Sequence, residues 1–101
     1  MKIYTVLIKD SALHDIDDIA DEILNISKSI YIAEKYIDGL HAEIQKLSIH
    51  GASLPFCDNK NITEIYGKYI RRVNYKKIAI LFYIANDTVL IQEIKFQHTV
   101  I

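Results

Sequence analysis

The chain has 101 residues, which suits one domain spanning 1–101 and leaves no room for a catalytic domain beside a binding domain. Half of it is hydrophobic, which argues against disorder, and 12 cations against 13 anions leave a net charge of −1, so nothing global attracts nucleic acid. The lone Cys57 excludes an internal disulfide and fits a reducing compartment.

The first apolar run, Ile3 to Ile8, is β-branched and reads as a strand. It is too short for a signal peptide or a membrane span, so a cytoplasmic protein with no membrane partner is expected. Asp10 or Ser11 is placed to cap a following helix, whose first turns are acidic as its dipole favours. Leu13, Ile16, Ala20, Ile23 and Ile26 recur at helical spacing and predict one apolar stripe. Asp15, Asp17, Asp18, Asp21 and Glu22 would form a solvated acidic face.

Ser27-Lys28-Ser29 interrupts the pattern, and a second helix is predicted from Ile30 to Leu47 on Ala33, Ile37, Leu40, Ile44 and Leu47. Gly39 lies inside it at a cost of about 1 kcal/mol against Ala. Close approach of the first helix is the expected compensation. So short a turn folds the helices into an antiparallel hairpin whose narrow stripes need a sheet to pack on.

His50 to Asn61 reads as a loop. Three strands are predicted beyond it: one within Ile62 to Tyr75, then Lys77 to Ala85, then Thr88 to Phe96, with Asn86-Asp87 as a hairpin turn. Ile78 to Ile84 is apolar on both faces, which makes that strand central.

Charge is uneven along the chain. Lys68, Arg71, Arg72, Lys76 and Lys77 gather with no carboxylate between Glu64 and Asp87. Such a basic strand suits phosphate or carboxylate, and equally suits an edge strand protected from aggregation. His14, His41 and His50 match no metal-binding spacing, no phosphate-binding glycine loop is present, and Cys57 reads as a loop thiol without a role. No cofactor or metal is expected.

The order β-α-α-β-β-β, with Tyr4-Thr5-Val6, the helix residues Ala33, Tyr36, Leu40, Ile44 and Leu47, the Gly51 to Pro55 segment and the meander Tyr69 to Val73, Ile80 to Ile84 and Val89 to Ile91, resembles the RelE/ParE superfamily of type II toxins. The resemblance covers nearly the whole chain. It implies an α+β fold: an N-terminal strand, a two-helix hairpin and a three-stranded antiparallel meander in one sheet, with the helices on one face. It also implies a cognate antitoxin, and possible assembly with it as a heterotetramer or larger complex.

Two activities fall under the resemblance. RelE-like members cut mRNA on the ribosome. ParE-like members inhibit DNA gyrase without catalysis, and an inactive, antitoxin-binding member is a third class. RNA cleavage needs a proton-transfer group and cations for the phosphorane charge. By resemblance Arg72 and His98 take the catalytic roles, with Arg71, Lys68, Tyr75, Lys76 and Lys77 binding substrate. Arg71 and Arg72 alternate in facing on a regular strand, so one should point toward the helices. A Tyr-Arg pair common in the RelE-type third strand is replaced here by Ile78-Ala79, and no tyrosine follows His98. The reading leans to RelE-like mRNA cleavage on Arg72 and His98, with gyrase inhibition as the alternative.

Overall fold

The structure, a computed structural model, describes residues 2–100. Strand β1 (Thr5–Ile8) leads into helices α1 (Asp10–Ser27) and α2 (Ile30–His50). A single 3-10 turn, Gly51–Ser53, and a short helix α3 (Lys60–Tyr66) follow. Then come β2 (Arg71–Tyr75), β3 (Ile78–Ala85), β4 (Thr88–Phe96) and a final 3-10 turn, Gln97–Thr99. The sheet order is β1-β4-β3-β2; β1 runs parallel to β4, and the remaining pairs are antiparallel. The α+β arrangement is the expected one.

The main core lies between the helix hairpin and one face of the sheet. Ala12, Ile16 and Ile19 of α1 and Leu40, Ile44 and Leu47 of α2 meet Ile78, Ile80 and Phe82 of β3 and Val89, Ile91 and Ile94 of β4. Ile91 and Ile94 are three residues apart yet both face this core. A bulge makes this possible: Leu81 pairs with Glu93 and Phe82 with Ile91, leaving Gln92 as the extra residue.

Helix α1 departs from its expected stripe. Its buried positions are Ala12, Asp15, Ile16 and Ile19, while Leu13 and Ile26 are 45% and 70% exposed. Nor is it capped by Asp10 or Ser11: Lys9 holds the N-cap position without a side-chain bond, and Asp10 already lies in the first turn.

Asp15 does not belong to a solvated face. It is 7% exposed, accepts the Ile94 backbone N–H at 3.1 Å and holds the Lys95 ammonium at 2.7 Å. The cause is topological. β1 covers β4 only from Thr88 to Ile91, so Ile94 lies on an open edge, and α1 brings a carboxylate there to satisfy its amide.

Gly39 accommodates a strand residue, not the first helix. A Cβ on Gly39 would stand 2.1 Å from the Tyr75 hydroxyl. That hydroxyl donates to the Tyr36 carbonyl at 3.1 Å, and the Tyr36 and Tyr75 rings meet edge to face at 5.4 Å.

Helix α3 lies in the segment expected to be loop and strand. The Asn59 side chain accepts the Asn61 and Ile62 amides, which starts the helix, and Gly67, at φ 91, ends it. Ile62, Ile70 and Leu81 form a second, smaller core with Cys57, Tyr66, Tyr83 and Val100 around it. Because Ile80 and Phe82 face the hairpin, Leu81 and this cluster occupy the opposite face of the sheet. The Tyr83 hydroxyl donates to the Tyr66 carbonyl and ties α3 to β3. Among the described residues, no helix is long and apolar enough to cross a membrane.

Candidate functional site

The cations expected to act together are divided by the alternation of β2. Arg71 pairs with Phe82 and Arg72 with Leu81, so Arg71 takes the hairpin side and Arg72 the side of α3. The Arg71 guanidinium donates to the carbonyls of Ala52 and Leu54, and its Nε is buried without a partner. It also lies 4.3 Å from the centre of the Phe56 ring. Arg71 therefore clamps the loop after α2.

Arg72 is half-buried on the other face. Its Nε donates to Asn74 Oδ1 at 2.8 Å, and its terminal nitrogen reaches Gln97 Oε1 at 3.4 Å. Gln97 in turn donates through its side chain to the Lys76 carbonyl at 2.7 Å, and its backbone N–H donates to the Lys77 carbonyl at 2.8 Å. The partner that reaches Arg72 is thus Gln97, a residue that sequence reading passed over. Its one signal was position, directly after a strand and beside His98.

His98 follows Gln97 in the final 3-10 turn. Its ring stacks on Phe96 at 5.8 Å, and with Lys77, Phe96, Glu22 and Ile26 it lines a cleft against α1. A smaller cleft at the β2–β3 turn is lined by Lys76, Lys77, Gln97 and His98. Neither cleft includes Arg72.

Lys76 has a positive φ of 51 and leads the two-residue turn, with its ammonium 4.9 Å from the Tyr36 ring and 5.5 Å from the Tyr75 ring. Tyr75 points its hydroxyl inward to Tyr36, so it offers a ring face, not a proton. Lys68 lies near the opposite end of β2, its ammonium 5.1 Å from the Tyr69 ring. The strand thus presents cations at both ends. Such an arrangement suits binding of anions, while Arg72 lines neither of the clefts that His98 lines.

Burial pushes the Cys57 thiol above its ordinary pKa despite the nearby Arg72, which disfavours a reactive thiolate. Burial likewise raises Tyr66 and Tyr83. His14, His41 and His50 are exposed, and no group of metal-ligating side chains is found among the described residues.

The hairpin carries a separate apolar groove of about 340 Å³, lined by Ala20, Leu24, Ile30, Ala33 and Ile37 with Asp21, Glu34 and Asp38 around them. At its tip Ile26, Ile30 and Tyr31 are exposed.

This α+β arrangement is RelE/ParE-like, a fold shared with solved structures from two toxin–antitoxin systems. Among solved structures, the chain is similar to one from the chromosomal ParDE toxin–antitoxin system of P. aeruginosa, with a TM-score of 0.77 at 12% identity over 93% of this chain and 96% of that one. It is also similar to one from the RelBE2 toxin–antitoxin complex of Mycobacterium tuberculosis, with a TM-score of 0.62 at 15% identity over 95% and 93%. No family model matches the sequence, and no curated protein matches it.

Proposed function

We propose that this protein is the toxin of a type II toxin–antitoxin pair and that it acts by binding its target, in the ParE-like manner, without cutting RNA. The observation that carries the second half is the placement of His98. General acid–base catalysis needs the proton-transfer group within hydrogen-bond reach of the reacting atoms. His98 stacks on Phe96 beside α1, while Arg72 is held by Asn74 and Gln97 on the other face. The absent Tyr-Arg pair at Ile78-Ala79 agrees with this, and so does the fold's likeness to a ParDE structure along almost its whole length.

The partner is a cognate antitoxin. Its apolar residues enter the α1–α2 groove, and its carboxylates reach Arg72, Lys76 and Lys77. A segment that orders on binding fits so shallow a surface. The toxin acts in the cytoplasm, and DNA gyrase is the target that the ParE-like branch implies.

The test is induced expression in a bacterium, with and without the product of the adjacent gene. Replication should stall while mRNA stays intact, and the antitoxin should relieve the arrest. His98→Ala should arrest growth as well as the wild type does. Cleaved mRNA, together with loss of toxicity in His98→Ala, would return the assignment to the RNA-cleaving branch. Absence of any arrest would leave only a partner-binding protein.

A further inference from the structure

The two edges of the sheet are β1 and β2. A strand edge invites further pairing unless charge, proline or a covering segment guards it. β2 is guarded by Arg71 and Arg72 and by Phe56, which bridges to Arg71. β1 is not, since Ile3 to Ile8 holds no charged residue and no proline. Among the described residues β1 pairs with β4 alone. The Thr5 and Lys9 N–H groups turn to that side, donating to the Asp87 and Ile91 carbonyls at 2.8 and 3.1 Å. Alternation therefore turns the N–H and C=O groups of Val6 and Ile8 to the outer edge. Tyr4, the next residue in that series, is already engaged. Its N–H donates to the Ser48 carbonyl at 2.8 Å, so the end of α2 closes the edge there. The open stretch is Val6 to Ile8, centred on Leu7.

Leu7 is 53% exposed. Val6 and Ile8 pack on the main core, so Leu7 stands on the opposite face of the sheet. There it lies opposite Leu90, which lies opposite Tyr83. An apolar row thus crosses three strands and stops at an open edge.

We propose that β1 pairs with β1 of a second copy of this chain, antiparallel about a two-fold axis through Leu7, joining the two 4-stranded sheets into one. An open stretch that is symmetric about its middle residue fits its own copy. In this register Val6 of each copy faces Ile8 of the other, and the outward N–H groups of both meet carbonyls. The Leu7 side chains meet on the axis and carry the apolar row across it. Charge selects the direction: antiparallel pairing sets Lys9 beside Thr5, whereas parallel pairing would set Lys9 beside Lys9. The closed end at Tyr4 keeps the contact short. It falls below the about 1,200 Å² of a standard interface, so the dimer is weak and concentration-dependent. β2 and its cations lie at the far edge of the sheet, and the pairing holds whether or not the protein is a toxin.

The experiment is sedimentation velocity of the purified full chain across a wide range of concentration, with amide hydrogen exchange at both extremes. The mass should rise from monomer to dimer, and the Val6 and Ile8 amides should gain protection as it does. Leu7→Lys sets like charges on the axis and should weaken association about tenfold or more, with the thermal midpoint of the dilute protein unchanged. Leu7→Glu should do the same alone. An equimolar mixture of the two variants should associate again, because position 7 meets itself only on a two-fold axis. A monomer at every concentration overturns the proposal, as does a dimer that Leu7→Lys leaves intact or a mixture of variants that stays monomeric. Protection of Val6 and Ile8 that appears only on adding the product of the adjacent gene gives the edge to that partner and overturns self-pairing.

Discussion

Gly39 and Asp15 show how single positions fix the layers of this protein. Gly39→Ala gains helix propensity of about 1 kcal/mol but drives a Cβ into the Tyr75 ring. Overpacking of this kind costs about 1–3 kcal/mol, so the net change should be destabilising, read as a lower denaturant midpoint. In a Tyr75→Ala background the clash is gone and the same substitution should stabilise. A sign that does not reverse would place the cost elsewhere. Asp15→Ala leaves the Ile94 amide without its partner beneath α1 and should cost about 1–3 kcal/mol. Asp15→Asn keeps an acceptor for that amide and should cost less, with hydrogen exchange at Ile94 separating the two.

The helix ends carry a second kind of test. Lys28 terminates α1 at φ 56, a conformation in which a side chain is strained and glycine is not, and its N–H donates to the Leu24 carbonyl at 2.8 Å. Lys28→Gly should therefore raise stability by about 0.5–1 kcal/mol, measured by chemical denaturation. Helix α2 is better defined at its start, where Ser29 accepts the Ile32 N–H at 3.2 Å.

The two long helices, the four strands and the central position of β3 could all be read from periodicity. The α1 stripe departs from its spacing because Asp15 occupies a buried place in it, and polarity alone cannot reveal a carboxylate that serves another element's edge. The short α3 is not legible because seven residues carry too little periodicity; Asn59 and Gly67 are its markers. The basic residues were readable as a set. Their division between two faces needed the register of β2 against β3, and the separation of His98 from Arg72 depends on the path of Gln97.

For the molecule as a whole, five groups set its response to alkali. The Asp15 hydrogen bond raises the pKa of Lys95, the Asp87 hydrogen bond raises Lys2, and burial raises Cys57, Tyr66 and Tyr83. For all five the folded pKa lies above the unfolded one. Their contributions are therefore complete below the unfolded pKa and are lost as pH rises through the folded value. Stability against urea should hold up to about pH 9, where the thiol begins to ionise, and then fall more steeply as the phenols and Lys95 follow. Lys95→Met should remove part of that fall and leave the tyrosine part, seen by ultraviolet absorbance of phenolate.

The parallel pairing of β1 with β4 joins the first strand of the chain to the last. While a ribosome is still decoding β4, Thr5 to Ile8 have no strand to pair with, and Val89, Ile91 and Ile94 are missing from the core. Loop closure across so much of the sequence is slow, because its entropy is lost before the contacts form. At about 5–20 residues per second, synthesis from the start of β1 to the end of β4 occupies roughly 5–20 s. The nascent chain therefore lacks its complete core until β4 has been made, an interval in which a partner already present in the cell can meet it before it matures.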